Sequence, residues 1–198
     1  MANLQYAGEY LIEVCEIYST SGLALDVTDL FASVNFYEDI MKNSLTGEIT
    51  FVDTNNLLTN LPIIGQEKLK LKLVTPNEGD NDARDVAINF TETPLYIYKV
   101  DAMTGVNENT IAYSLSFTTP EAIRGNRIRV SQSFAGEPTE DVIKKVLRDE
   151  ELLNSKKEFY YELTANNYKF VAPNMRPFEF INAVSRRCLS RDYNFAPT

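Results

Sequence analysis

The segment from Gly47 to Val74 constrains the fold more than any other part of this sequence, because much of it alternates between polar and apolar residues. From residue 68 to residue 73, lysine stands at every even position and leucine at every odd one. Successive side chains of a β-strand point to opposite faces, so this strand would bury one face and present lysines on the other. The lysine row consists of Lys68, Lys70 and Lys72. The segment therefore predicts part of the wall of a β-barrel or β-sandwich.

Strand-like patterns recur through the first 119 residues. They occur at residues 10–18, 23–27, 31–37, 49–51, 69–73, 86–90, 95–100 and 111–117. A polar stretch with a glycine, Met103–Asn109, separates the last two segments and predicts a hairpin loop. Short strands at regular spacing, with turn residues between them, are typical of an all-β sandwich or barrel. We therefore predict that residues 1–119 form a β-domain.

The pattern changes at Pro120, which we predict to be the domain boundary. Residues 120–198 are predicted to form a small α+β domain with two helices, so the chain is mainly β and α+β overall. The first helix is predicted from Thr139, as its N-cap, and the second from Pro177. The apolar stripe of the second helix comprises Phe178, Ile181, Val184 and Cys188. Further strands are predicted at residues 127–130, 159–161 and 168–171.

The formal net charge of −9 argues against a protein that grips nucleic acid, because DNA affinity depends on lysine and arginine displacing counterions. An acidic surface suits instead a conduit along which DNA slides without sticking. No apolar run approaches the roughly 20 residues of a membrane span, and the first ten residues lack the pattern of a secretory signal. We therefore expect a protein made in a cytoplasm, without stable membrane association.

The sequence holds little that could catalyse a reaction. Without histidine a Ser-His-Asp triad cannot form, and neither a nucleophile elbow nor a phosphate-binding glycine loop is present. The acidic loop Glu78–Asp85 lacks the residue spacing of a calcium-binding EF-hand. The two cysteines, Cys15 and Cys188, are interpreted as small buried hydrophobic residues. We expect no catalytic residue, no metal site and no cofactor.

Two groups of basic residues are candidates for a subunit interface. One group is Arg124, Arg127 and Arg129, and alternation would place the last two on one face of a strand. These arginines either face an acidic partner or pair within this acid-rich chain. The lysine row either protects a sheet edge from unwanted pairing or faces a neighbouring subunit or a lumen.

The order of the motifs resembles that of the central baseplate hub proteins of contractile-tailed, T-even-like bacteriophages. In that family a strand, an Asp-containing turn and an apolar Leu-Pro-Ile lead through Gly-x-Glu into an alternating strand. Here the pattern reads Phe51–Asp53, Leu61–Gly65, Gln66-Glu67 and Leu69–Leu73. The later segment Phe170–Asn182 is similar to the one that opens a helix in the hub. With the β-rich start, the resemblance covers most of the chain.

This resemblance implies an antiparallel, tail-tube-like β-barrel at residues 1–119, then a small α/β domain, in a structural protein that is not an enzyme. Subunits of the family form a ring that adapts the tail tube to the central spike and lets DNA pass. The implied partners are further copies of the chain, the tail tube protein, the spike protein and the baseplate wedge proteins, all within the virion. Family trimers carry two barrels per chain, whereas one barrel fits here, so a trimer, a hexamer and a piece of a longer chain all stay open.

Two other functions compete with the hub. A receptor- or glycan-binding module of a virion would need an aromatic cleft, which Tyr96, Tyr98 and Tyr113 on adjacent strands could supply. A cell-wall hydrolase would need two carboxylates that converge in a pocket, about 5–10 Å apart.

Overall fold

The computed structural model describes residues 9–54, 63–77, 80–107, 110–165 and 167–192. The chain divides into two compact units, residues 1–120 and 121–198. Within the described residues the first unit holds eight strands and a short 3-10 turn, Thr28–Leu30. The strands are β1 (Leu11–Tyr18), β2 (Ala24–Asp26), β3 (Phe31–Tyr37), β4 (Thr46–Asp53), β5 (Lys68–Asn77), β6 (Asp80–Asn89), β7 (Leu95–Asn107) and β8 (Thr110–Thr118).

The strands of the first unit form one antiparallel sheet that rolls over on itself. Their order is β2-β1-β5-β7-β8-β4-β3, and β6 pairs with β5. Phe36 of β3 stacks on Phe90, which follows β6, with ring centroids 6.2 Å apart. The N–H of Phe90 donates to the Leu71 carbonyl oxygen of β5. Because β4, β8 and β7 separate β3 from β5 in the order, this ring contact requires the sheet to curl around a common core.

The core of the first unit is filled by alternate residues of its strands. Leu69 and Leu71 have no exposed surface and Leu73 is 6% exposed, so the predicted burial of the leucines is confirmed. The other large side chains that are fully buried here are Ile17, Ile49, Phe51, Leu95, Ile97, Tyr113, Leu115 and Phe117. The predicted fold class, mainly β and α+β overall, is confirmed.

Gly47 of β4 leaves the space that Phe117 of β8 occupies. An added Cβ would lie 2.3 Å from Phe117 Cζ and 2.5 Å from the backbone oxygen of Asn35 on β3. Since the paired backbone of β3 cannot give way cheaply, Gly47→Ala should lower the free energy of unfolding by about 2–3 kcal/mol. Urea unfolding followed by circular dichroism measures this. Gly105→Ala is the matched control, because its Cβ would meet nothing within 4 Å; an equal loss in both variants would contradict the clash.

From Pro120 onward, the described residues form three helices and a two-stranded antiparallel sheet. They are α1 (Pro120–Arg127), β9 (Val130–Pro138), α2 (Thr139–Arg148), β10 (Asn167–Met175) and α3 (Pro177–Ser185). Phe134 of β9 pairs with Phe170 of β10 and stacks on Phe180 of α3, with ring centroids 5.3 Å apart. These rings belong to a second hydrophobic core, distinct from that of the first unit.

The start of α2 differs from its prediction. The helix begins at Thr139, but Pro138 takes the N-cap position and no side chain caps the helix. The N–H of Thr139 instead donates to the Thr164 hydroxyl oxygen, at 3.2 Å. Thr139 as N-cap is therefore wrong, because a residue distant in sequence satisfies the backbone there.

The helix α3 begins at Pro177, as predicted. Its most deeply buried aromatic residue is Phe180, which the predicted stripe did not include. Phe178 and Ile181 of that stripe are only half-buried, and Cys188 lies beyond the helix end yet is buried. The buried face of α3 follows from its contacts with α2 and β10 and from the stacking of Phe180 on Phe134 of β9, which the spacing of apolar residues alone did not reveal.

The predicted strand at residues 127–130 is wrong, and the helix α1 was not predicted. The N–H of Ile128 donates to the Arg124 carbonyl oxygen at 3.0 Å, so helical winding continues past Arg127, and β9 begins only at Val130. Four alternating residues are too few to separate a strand from a helix end. The glycine of α1, Gly125, lies against Phe178, since an added Cβ would be 3.0 Å from that ring.

Two further assignments need correction. Residues 159–161 belong to no strand, because no neighbour pairs with them in the described part of the chain. The predicted loop at Met103–Asn109 is strand β7 as far as Asn107, and its last two residues lie outside the described residues. The predicted strand at residues 168–171 is present within β10.

Both cysteines are free and buried, which confirms their interpretation as small core residues.

Burial, and then the charges of Asp26 and Glu16, raise the pKa of the Cys15 thiol from 9.0 to about 12. As the pH rises, the thiol of Cys15 loses its proton in the unfolded chain before it does so in the folded protein. The contribution of this thiol to the free energy of unfolding is therefore complete below pH 9 and falls as the pH rises from 9 towards 12. Above pH 9 the free energy of unfolding of the wild type should fall more steeply with pH than that of Cys15→Ala, by up to about 1.4 kcal/mol per pH unit. Urea titrations at a series of pH values test this, and parallel curves would contradict it.

Candidate interaction surface

The lysine row lies on the outer face of β5, away from any sheet edge. Lys68 is paired with Tyr18 of β1 on one side and with Tyr96 of β7 on the other. Lys72 lies between Val14 of β1 and Asn89 of β6. Protection of a sheet edge therefore does not explain the lysines, because neighbouring strands cover both sides of β5.

Each lysine of the row contacts a side chain of an adjacent strand. Lys72 Nζ lies 2.7 Å from Glu13 Oε2. Lys70 Nζ lies 4.4 Å from the centroid of the Tyr18 ring and donates to its hydroxyl oxygen at 3.1 Å. Lys68 Nζ is 5.9 Å from the centroid of the Tyr96 ring. The row is thus partly neutralised within its own sheet, and its role as a subunit interface stays a prediction.

Arg127 and Arg129 do not share a strand face, because Arg127 ends the helix α1 and Arg129 precedes β9. Arg124 Nε donates to the Leu152 carbonyl oxygen at 2.9 Å, and a second nitrogen donates to the Glu150 carbonyl oxygen. Arg124 therefore holds the loop after α2, through carbonyl groups rather than carboxylates. Arg127 and Arg129 are exposed, and Arg129 donates to carbonyl oxygens at the end of α1. Of the predicted arginine interface, only Arg127 and Arg129 present their side chains mainly to solvent.

The turn that precedes β5 is organised by Glu67, which sequence reasoning treated only as part of a pattern. This residue is fully buried, and Oε1 accepts the N–H of Ile64 at 2.9 Å. Its Oε2 accepts the N–H groups of Gly65 and Gln66 at 2.9 and 3.0 Å. Gly65 adopts φ +88°, which favours glycine. The Glu67 carbonyl oxygen accepts the Ile97 N–H of β7, so Gly-x-Glu is a structural signature that anchors the turn to the sheet.

The aromatic cleft of the glycan-binding hypothesis does not form. Tyr113 is 1% exposed and packs on Phe51 in the core, with ring centroids 6.0 Å apart. Burial and the nearby charge of Asp53 raise the pKa of its phenol. Tyr98 is 46% exposed and Tyr96 half-buried, on the outer side of β7. The three rings lie on opposite faces of the sheet, because β8 contributes Tyr113 to the inner face.

Buried carboxylates of the second unit hold its loops in place. Glu121 accepts a hydrogen bond from the Ser155 hydroxyl at 2.8 Å and lies 3.4 Å from Lys157 Nζ. Glu140, at the start of α2, accepts hydrogen bonds from the N–H and the hydroxyl of Thr164. Both groups are engaged in structural contacts, which differs from the converging carboxylate pair that a hydrolase needs.

Several sequence predictions concern residues that the structure does not describe. The predicted acidic loop Glu78–Asp85 is strand β6 from Asp80 onward, so its assignment as a loop is wrong. Its side chains, Leu61 and Pro62 of the family pattern, and residues 193–198 lie outside the described residues. Within the described part, no cluster of three acidic or cysteine side chains is placed to hold a metal ion. No helix among the described residues is both long and apolar enough to cross a membrane.

Comparison with protein-family profiles finds no match, and comparison with curated protein sequences finds none either. Solved structures do match. A tail protein from Neisseria meningitidis MC58 aligns with a TM-score of 0.50 and 9% identity, over 89% of this chain and 45% of that one. The chain thus shares the fold of a tail protein, over less than half of that protein's length.

Two further structures give weaker alignments. One is the E. coli c3393 protein, a component of the type VI secretion system described as similar to the T4 tail proteins gp27 and gp5. It aligns with a TM-score of 0.41 and 10% identity, over 93% of this chain and 42% of that one. The other is a Francisella PdpA–VgrG complex, with a TM-score of 0.48 and 12% identity, over 87% of this chain and 24% of that one.

Proposed function

We propose that this protein is a structural subunit of a phage tail or a related contractile assembly, and that it acts there as a baseplate hub. The observation that carries the proposal is the fold shared with a tail protein across 89% of the chain. In this role the rolled sheet contributes one sector of a ring. The ring adapts the tail tube to the central spike and leaves a lumen for DNA.

The distribution of charge supports a conduit. Residues 1–120 contain 17 acidic and 6 basic side chains, a formal charge of −11, whereas residues 121–198 contain 11 acidic and 13 basic ones, a charge of +2. An acidic rolled unit repels the phosphate backbone, so DNA would pass a ring of such units without adhering.

The proposed role is mechanical rather than enzymatic. Glu121 and Glu140 are engaged in loop contacts, and the three candidate tyrosines are split between two faces of the sheet. Such a protein acts through extended surfaces, since a ring uses one interface repeatedly. The proposed partners are further copies of the chain in a trimer or hexamer, the tail tube protein, the spike protein and the baseplate wedge proteins. The proposed location is the tail baseplate of the virion.

A reconstitution experiment tests the hub role. The purified chain is mixed with the tail tube protein and the spike protein of the same genome, and complexes are sized by light scattering and imaged by electron microscopy. The proposal expects a ring that binds both partners at opposite ends. A chain that binds neither partner and instead retains a cell-wall glycan would overturn it.

A further inference from the structure

An extended segment of the second unit leaves apolar side chains in solvent. Thr164 forms an antiparallel bridge with Ser190, and both residues are buried. Backbone hydrogen bonds of 2.9 Å flank the bridge on each side. Because side chains alternate along an extended chain, the neighbours Leu163 and Leu189 point outward. They are 49% and 39% exposed.

Aromatic rings continue this surface. Tyr161 lies two residues before Leu163 and is 44% exposed. Its ring stacks on that of Phe159, with centroids 5.1 Å apart and an angle of 21° between the planes. We name Phe159, Tyr161, Leu163 and Leu189 the aromatic–leucine strip. Exposed apolar surface rich in aromatic residues is typical of protein contacts.

Positive charge flanks the strip. Lys144 Nζ lies 5.9 Å from the centroid of the Tyr161 ring. The N–H of Arg191 donates to the Leu163 carbonyl oxygen, so Arg191 is held beside the strip, and its side chain is exposed. Within the described residues Arg191 forms no salt bridge. Arg191 can therefore pair with an acidic side chain of an otherwise apolar partner surface.

The turn between β3 and β4 carries exposed apolar side chains beside an acidic one. Ile40 is 98% exposed and Met41 80% exposed at its tip. Asp39 orders the tip: its carbonyl oxygen accepts the Lys42 N–H, and its Oδ1 accepts the Met41 N–H, both at 2.9 Å. The exposed Glu38 precedes it. Lys42 Nζ lies 3.9 Å from Asp39 Oδ2 within the turn, so the acidic group that the proposed contact uses is Glu38. Two large apolar side chains on this ordered turn form a small preorganised anchor.

We propose that the β3–β4 turn of one copy docks on the aromatic–leucine strip of the next copy. Ile40 and Met41 pack against the strip, and Glu38 lies beside Arg191. The charges of −11 on residues 1–120 and +2 on residues 121–198 favour this pairing of unlike units. A contact between unlike surfaces repeats from copy to copy and closes a ring when the rotation permits. This inference rests on the proposed ring role and supplies the interface of that ring.

The apolar part of the contact is tested by sedimentation velocity over a concentration series. Ile40→Ser/Met41→Ser should weaken self-association at least about tenfold without lowering the melting temperature, because both side chains are already in solvent. Tyr161→Ser should weaken it similarly. Tyr160→Ser is its matched control, because Tyr160 is the neighbouring tyrosine and is 84% exposed, whereas Phe159 stacks on Tyr161.

The polar part is tested by reversing charges. Glu38→Arg and Arg191→Glu should each weaken association, and the double variant should recover it, because the pair is restored with its signs exchanged. High salt should weaken the wild-type assembly and the double variant alike.

Failure of this contact is distinguishable from failure of the hub role. A wild type that stays monomeric at every concentration would overturn the contact, as would full association by Ile40→Ser/Met41→Ser. If such a protein still bound the tail tube protein and the spike protein, the hub role would be supported, with a different interface between the copies. If self-association depended on Ile40 and Met41 but the protein bound neither the tail tube protein nor the spike protein, the contact would be supported and the hub role would be contradicted.

Discussion

Leu71→Ala is expected to lower the free energy of unfolding by about 3–5 kcal/mol. Leu71 has no exposed surface and lies in the core of the rolled sheet, with Leu69 and Leu73 beside it on the same face. Alanine would remove most of the side chain and leave a cavity that the paired strands cannot collapse to fill. Urea unfolding of the full chain, followed by circular dichroism, measures the loss.

Lys70→Ala is the control on the same strand. Lys70 contacts Tyr18 on the outer face, where solvent screens its charge, so its removal should cost less than about 1 kcal/mol. Equal losses in the two variants would mean that the leucine face is not the buried one, and would contradict the rolled sheet.

Glu67→Gln is expected to lower the free energy of unfolding by about 3 kcal/mol, although it replaces one atom. The Glu67 carboxylate accepts three backbone N–H groups, from Ile64, Gly65 and Gln66. An amide would turn one acceptor oxygen into a donor that faces other donors, and hydrogen bonds to a charged group each contribute about 1.5–3 kcal/mol. The same unfolding measurement tests this.

Glu92→Gln provides the comparison for Glu67, because Glu92 is exposed in the loop before β7. It should change stability by less than about 0.5 kcal/mol. If Glu67→Gln were equally neutral, the turn would not depend on its carboxylate, and Gly-x-Glu would not be a structural signature of this turn.

Most of the first unit could be predicted from the sequence because its signal is local. Strands such as β3 and β5 repeat polar and apolar residues with a period of two, and that period alone decides which side chains share a face. The second unit was harder. The helix α1 combines Gly125 with two arginines in a short span, and it depends on Phe178, which is distant in sequence.

The candidate interaction surfaces were harder to predict from the sequence than the fold was. Exposure of a lysine does not say what stands beside it, and the contacts of Lys70 and Lys72 depend on the register of β1 against β5. The predicted cleft of three tyrosines was wrong because the sequence does not show which face of the sheet Tyr113 lies on. That face follows from the place of its strand in the sheet. The aromatic–leucine strip depends on a bridge between residues 164 and 190.

The sequence by itself determined that β5 has a leucine face and a lysine face, that β-structure precedes a smaller α+β part, and that the rolled unit is acidic. These properties depend on neighbouring residues and on composition. Only the tertiary structure decided that β5 lies inside the sheet, that Glu67 closes its turn, and that Ile40 and Tyr161 are left in solvent. The physical reason is that strand order, register and burial depend on contacts between residues far apart in sequence, which no local period encodes.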